Sequence, residues 1–483
     1  MKTIEEILKL EPKDAVTEIR THRPFNVPKP EDIKKEYNGN EHPVMDQALY
    51  PDDIEGEEKM TRIVIPDQKL FAKRATSMCV GTPVYRSYNT KKEDGSEDEG
   101  KTQIANVIEA ILENNRINSL NIKRINQLFS FCEIATVWYA YECDTEYAGV
   151  KSKNKIKCRT YSPMLGHVLY PIFDDYDDMV GFGVEYKKKS GTKEIERLDF
   201  YAENSAIFYV KKDGEWEEDD TSRRNLDIEK IPVIYSWREY PVWEETSSIT
   251  YEKEWILSRN GNYIRHNSVP NKVLTTDAET AGQIIADANK DNANQEYEID
   301  NRQKKGGKKK PPKLSKDWIL SEGSDLKVVE WQGSVEASRF AVETLKKEQH
   351  RVLQIPDLSF EAVSGVSTET MRIALQDAQM KVRFEAGNLE EFFDREISVI
   401  KEFVKAMFSN SKDVDALVVK SEIVPFDVSD MMRESQMLSQ QTGGKAVTSQ
   451  AEAVRQLHGT EKAKSILKEL HQESHQDAIE PAF

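Results

Sequence analysis

From Met371 to Met407 apolar side chains recur every three or four positions, through Met371, Leu375, Ala378, Val382, Ala386, Leu389, Phe393, Ile397, Ile400, Val404 and Met407, with no proline among them. That period belongs to an α-helix with one buried stripe, and Ser367 or Thr368 supplies a side-chain oxygen to cap its first turn. The pattern predicts a single helix over 367–408. At ~1.5 Å per residue it would be roughly 60 Å long, beyond the usual length in a globular domain. A rod of that size normally braces an architecture and does not wall an active site. Just before it, Gln354-Ile-Pro-Asp-Leu-Ser-Phe-Glu-Ala-Val-Ser-Gly-Val366 reads as a loop that turns from apolar to Gly/Ser in character.

Composition agrees with an extended or assembling chain. The 483 residues have room for two to four domains. An apolar content of 38% and a mean hydropathy of −0.67 are low for a compact enzyme. They suit a protein that is elongated or that buries surface only on assembly. The net charge of −17 argues against wrapping nucleic acid on a basic face. It is compatible with DNA passing a wall that does not hold it. Cys79, Cys132, Cys143 and Cys158 lack the spacing of a metal site and read as reduced thiols. The acidic, amphipathic start is not a signal peptide. The richest apolar run, Ile134–Tyr141, is far short of a membrane span, so a soluble protein is expected.

Residues 1 to about 100 begin helical, cross Pro24, Pro28 and Pro30, and end in the charged tract 91–101, read as a solvated loop. Pro66–Met78 reads as a helix with Lys69, Lys73 and Arg74 outward, and 101–131 as two helices broken near Asn114–Asn118. The period then changes to that of strands. Ile134–Glu142, Lys155–Tyr161, His167–Ile172, Val180–Lys187, Glu194–Phe200 and Ser205–Lys211 predict an antiparallel sheet or small sandwich that closes near Ile231–Trp237. After Thr246-Ser-Ser248, a helix of about 22 residues carries Ile249, Ile256 and Tyr263 seven apart. Strands at Lys272–Thr275, Trp318–Leu320 and Leu326–Trp331 bracket a polar segment, and a further helix covers Val335–Leu353. Val418–Phe426 reads as a strand, followed by two helices around Gly443-Gly444.

No catalytic constellation stands out. Gly443-Gly-Lys-Ala446 fails as a phosphate loop, because Ser439 occupies the first glycine position and alanine follows the lysine. Asp174-Asp-Tyr-Asp-Asp178 lacks the spacing of a calcium loop and reads as a polar hairpin turn. His471 and His475 stand i, i+4 in a polar tail and read as solvated. No metal or cofactor is implied. The tract Lys304, Lys305, Lys308, Lys309, Lys310 is the one strong local positive charge, readable as a solvated loop or as a contact for phosphates or an acidic partner. Lys346 and Lys347 are surface lysines unless their helix lines a pore.

Taken in order, these parts resemble the portal proteins of tailed bacteriophages, in particular the family of long-tailed phages. The resemblance is carried by Ile231-Pro-Val-Ile234 leading into the Trp255–Asn267 helix, the strand-bounded insert 271–332 and the helix 335–353. It continues through Pro356 to Leu375 and the long helix, and ends with Gly443-Gly-Lys-Ala-Val-Thr-Ser-Gln450. It spans roughly residues 60–470. Ala374-Leu375 stand several residues beyond Ser364-Gly365, and the lysine-rich insertion is unusual for the family.

The resemblance implies an α+β portal fold with a β-rich wing (1–245), a first stem helix (246–270), a small α/β clip (271–332) and a second stem helix (333–353). A tunnel loop (354–366), a long wing-crossing helix (367–408) and a helical crown with tail (409–483) complete it. It further implies a dodecameric ring at one capsid vertex of the virion, assembled in the host cytoplasm, through which double-stranded DNA is packaged and ejected. Partners would be the large terminase, scaffold and major capsid proteins, and a head-completion or adaptor protein, with no membrane. Tunnel-loop roles fall to Gln354, Pro356, Asp357, Phe360, Ser364 and Gly365, and stem packing to Ile249, Ile256 and Tyr263. DNA or partner contact falls to the lysines already named. Another virion structural or adaptor protein, or a DNA-processing enzyme, are the alternatives.

Overall fold

The computed structural model describes residues 4–49, 61–267, 272–276, 317–321, 334–357 and 370–425, apart from short interruptions, and isolated positions between 453 and 467. The chain divides into two compact units. One draws on residues 1–38, 66–246 and 350–483, the other on 39–65 and 247–349.

The first unit opens with α1 (Ile4–Ile7), α2 (Pro12–Thr21), α3 (Pro30–Asn38) and α4 (Asp67–Val80), then β1 (Tyr85–Tyr88). Helix α5 (Glu99–Asn114) starts where Asp98 accepts the N–H groups of Gly100 and Lys101 at 3.1 and 3.3 Å, which satisfies two orphan donors of the first turn. Arg116, left-handed at φ 51°, breaks the chain before α6 (Ile117–Phe131), as the Asn114–Asn118 signal predicts. Strands follow: β2 (Glu133–Tyr147), β3 (Val150–Tyr161), β4 (Val168–Phe173), β5 (Met179–Ser190), β6 (Lys193–Ala202), β7 (Ser205–Lys212), β8 (Glu215–Glu218), β9 (Arg224–Asn225) and β10 (Val233–Trp237). The pairs Ala148-Gly149 and Asp213-Gly214 both hold positive φ and close two-residue hairpins, the turn that matches strand twist. Asp174 Oδ1 accepts from the N–H groups of Tyr176 and Asp178, so the acidic cluster is a hairpin turn.

The strands form a three-stranded sheet, β10-β2-β3, and a six-stranded sheet, β4-β5-β6-β7-β8 with β9 on β7; every pairing is antiparallel. Alternation along the strands gives each sheet two faces. Ala135, Val137 and Tyr235 meet Leu169, Phe182 and Val184 between the sheets. On the outer face of the larger sheet, Ile7, Val16 and Ile19 of α1 and α2 cover Leu198, Phe200 and Ile207. Gly183 makes that approach possible, because a Cβ there would lie 2.6 Å from Ile19 Cγ2.

The second unit supplies α7 (Ser247–Asn267), β11 (Lys272–Thr276), β12 (Asp317–Ser321) and most of α8 (Ser334–Leu353). Strands β11 and β12 pair in parallel from Lys272↔Asp317 to Thr276↔Ser321. The expected strand 326–331 and the helices around Gly443-Gly444 lie outside the described residues. Back in the first unit, the long helix α9 runs Gln376–Lys405, followed by α10 (Ser411–Ala416) and β13 (Val419–Glu422), which pairs with β1. At ~1.5 Å per residue α9 is about 45 Å long; before it Thr370, Met371 and Ile373 are also helical and the Leu375 N–H donates to Met371 O at 3.0 Å, while the expected start at 367–369 lies outside the described residues.

Helices α4 to α6 and α9 cover the remaining face of the small sheet, so the first unit has four layers: helices, sheet, sheet, helices. One polar network is sealed inside the last layer. Arg124 of α6 grips Glu396 of α9 with two bonds of 2.6 Å, and Trp138 Nε1 of β2 donates to the same carboxylate at 3.1 Å. Phe392 and Phe393 stack on the guanidinium at 4.7 and 5.3 Å. Both charged residues are 0% exposed. Removing one partner leaves a buried charge alone, so Glu396→Ala is expected to destabilise the unit by about 3–5 kcal/mol. The paired Arg124→Met, Glu396→Leu variant should lose much less in a denaturant titration.

Between the sheets, burial and the nearby Arg159 hold His167 at about 4, against 6.5 for an ordinary histidine. The unfolded chain takes up this proton between those values and the folded chain does not, so stability should fall as pH drops from 6.5 to 4. His167→Gln should flatten that part of a stability–pH curve.

Candidate functional site

The second unit is built around a polar seam. Alternate residues of the extended segment 61–65 donate their N–H groups to one face of α7. Thr61 donates to Asn262 Oδ1 at 2.7 Å, Ile63 to Ser258 Oγ at 2.9 Å and Ile65 to Glu254 Oε1 at 2.7 Å. The acceptors stand four apart. Four helical residues rise about 6.0 Å and two extended residues about 6.6 Å, so the two periods nearly match. The segment therefore satisfies its backbone donors without joining a sheet. His42 Nδ1 reaches Glu254 Oε1 at 2.8 Å, both residues being buried. Gly39 fits only as glycine: φ is +71° and a Cβ would lie 2.5 Å from Val64.

A second polar set joins α7 to α8. Gln349 donates to Thr250 Oγ1 at 2.7 Å and accepts from Lys253 Nζ, all three buried. The buried face of α7 is thus Thr250, Lys253, Glu254 and Ser258. The heptad-spaced Ile249 and Ile256 are half-buried and Tyr263 is 40% exposed. Nearby on the two helices, Ile264 and Phe340 are 59% and 72% exposed. Lys347 is exposed and Lys346 half-buried on α8.

In the first unit, the end of α8 fixes where the loop starts. Gln354 is left-handed at φ 52°, a helix-ending conformation. The N–H groups of Gln354 and Ile355 donate back to the carbonyls of Arg351 and His350. His350 Nδ1 lies 2.8 Å from Ile355 O and Arg74 donates to Pro356 O at 3.5 Å. Leu353 and Ile355 are both 1% exposed. Residues 350–356 are therefore an anchored base, with Pro356 and Asp357 half-buried at its end. Phe360, Ser364 and Gly365 lie outside the described residues, as do Lys304, Lys305, Lys308, Lys309 and Lys310. The structure thus brings together Gln354, Pro356 and Asp357 at one loop base, and Ile249, Ile256 and Tyr263 on one helix.

The periodicity gave no sign of the 61–65 strap, which the sequence reading placed with residues 1–245. The available signal was polar spacing, Glu254, Ser258 and Asn262 at i, i+4, i+8 opposite Thr-x-Ile-x-Ile. Among the described residues no helix is long and apolar enough to cross a membrane, and no group of three or more His, Cys, Asp or Glu could hold a metal ion.

A family model described as "Phage portal protein, SPP1 Gp6-like" matches residues 17–480 of the 483. The chain belongs to this portal family. No curated protein matches it individually. The match covers both units and makes this chain a phage structural component of mixed helix and sheet.

Ser258→Ala, which removes the acceptor for the Ile63 N–H, should cost this portal-family chain about 1–3 kcal/mol. Hydrogen exchange should quicken at Thr61, Ile63 and Ile65 together. Unchanged exchange at Ile63 would show that the rung is not formed in solution.

Proposed function

We propose that this chain is the subunit of the ring at the unique capsid vertex, the channel for DNA packaging and ejection. The observation that carries the reading is the family match over residues 17–480. Two features of the geometry support it. The helices α7 and α8 bury polar side chains in their own unit and leave Tyr263, Ile264 and Phe340 uncovered, as expected if apolar faces are shared between neighbouring copies. Ile249, Ile256 and Tyr263 would then pack the stem of a dodecameric ring. The anchored base at 350–356 supports a tunnel loop whose later residues, Phe360, Ser364 and Gly365, project into the channel.

Net charge of −17 would keep the wall from holding the polyanion. Lys346 and Lys347 would relieve repulsion locally, and the tract Lys304–Lys310 would meet DNA or an acidic partner. The insert 271–332 would dock the large terminase during packaging and a head-completion or adaptor protein afterwards. Capsid and scaffold proteins would meet the outer parts. No chemistry is assigned to the chain itself; packaging energy would come from the terminase.

Light scattering with negative-stain imaging of the purified chain tests this. Rings with a central hole and about twelve subunits are expected. A compact monomer at every protein and salt concentration would sink the proposal.

A further inference from the structure

Two surfaces of the first unit carry opposite charge. The first is strand β3, where Lys151, Lys153, Lys155, Lys157 and Arg159 occupy alternate positions and so share one face. Tyr141 and Tyr139 stand opposite Lys155 and Lys157 on β2 and are 41% and 39% exposed. Arg159 is taken up by the rings of Tyr161 and Tyr186. Lys151, Lys153, Lys155 and Lys157 have no carboxylate in ion-pair contact among the described residues. One lysine is enough to blunt an edge strand. Four in file, about 6.6 Å apart, repel one another in a chain that is otherwise strongly acidic.

The second surface is an open groove on the other side of the same small sheet. With the strand order β10-β2-β3, β10 and β3 are its two edges. The groove runs beside β10 and exposes Trp237, Tyr240 and Phe384 at 43%, 54% and 85%. Asp177, Asp178, Glu203, Glu239, Glu244 and Glu245 also line it, none with a cation in ion-pair contact among the described residues. Burial, and secondarily the nearby Glu36, push the Glu244 carboxyl above its ordinary range. The groove's Arg23, Lys230, Arg238 and Arg395 are already held by Glu133, Glu402, Glu385 and Glu391, and its remaining lysine, Lys381, whose charged form burial disfavours, lies near Glu385 and Glu245.

A closed ring of more than two identical subunits needs a heterologous contact, in which two different surfaces of each chain meet. We propose that the lysine face of β3 in one copy docks against the acidic, aromatic groove beside β10 in the next copy. Opposite charge, aromatic side chains on both surfaces and their positions on opposite edges of one sheet carry the assignment. The proposal rests on the ring reading and names the contact that closes it.

Charge reversal separates the two ideas. Lys153→Glu with Lys155→Glu, and separately Asp178→Lys with Glu245→Lys, should leave the circular-dichroism melt unchanged. Each pair should raise the concentration for half-assembly by about 100-fold, since like charges then face one another. The chain carrying all four changes should recover assembly to within about tenfold of wild type, because the polarity is merely exchanged. Cys143 offers a second readout. It is exposed on β2, whereas burial pushes the Cys79, Cys132 and Cys158 thiols up to about 12, so a maleimide labels Cys143 first. Labelling should slow at least ~10-fold in rings relative to the unassembled variants.

Normal rings from the lysine variant, with Cys143 labelled as fast as in the monomer, would overturn the docking contact and leave the ring reading intact. Normal rings with loss of binding to a DNA duplex would assign the face to nucleic acid and equally overturn it. If the unmodified chain forms no ring, the ring reading falls and this contact with it.

Discussion

The four-layered unit depends on a charge pair that no water reaches. The apolar stripe of α9 repeats every three to four residues, so a slide of one turn, about 5.4 Å, would present a similar set of side chains to the same neighbours. Hydrophobic burial alone sets the face of the helix and only weakly its position along the axis. The Arg124–Glu396 pair, with Trp138 as third member, removes that freedom, because any slide strands two charges in a dry interior. A buried pair of this kind adds little net stability compared with apolar side chains of the same size. Its contribution is to make one register cheaper than its neighbours.

That pair also marks the limit of what a sequence discloses. The strands were legible because burial on one face imposes alternation, but β2 and β3 run past the predicted ends at Glu142 and Lys155 to meet at the Ala148-Gly149 hairpin, where both strands are polar and exposed and alternation fades. Helices α4 to α8 were legible from period and caps. Arg124 and Glu396 were not, since a charged residue on a helix is ordinarily solvated and 272 positions separate them. The start of the long helix expected at 367 lies outside the described residues, while Met371 and Leu375, which keep the helical spacing, are joined by a backbone bond of 3.0 Å. For the candidate site, the anchored turn at 350–356 followed from the end of a helical pattern at Leu353, whereas the strap at 61–65 could not. Its stability comes from backbone donors, and those are the same for every residue type except proline.

The second unit shows why the stem-like helices look too polar by composition. Their own unit uses the polar face, through Thr250, Lys253, Glu254, Ser258 and Gln349. The side chains that a monomer would be expected to hide stay half-covered or exposed. Low mean hydropathy in such a chain reflects this division of labour between faces and does not signal a poorly formed core.

The seam between the strap and α7 behaves like a vernier scale. Each rung of the strap advances about 0.6 Å further than the matching step of the helix, so three rungs accumulate roughly 1.2 Å of drift. That is close to what hydrogen-bond geometry absorbs, and it caps the useful length of the seam. Between one alignment and the next, 6 Å away on the helix scale, all three donors are out of reach at once. A pull along the helix axis would therefore meet no gradual creep. The strap would hold until its rungs yielded together, giving this part of the chain the mechanical character of a catch.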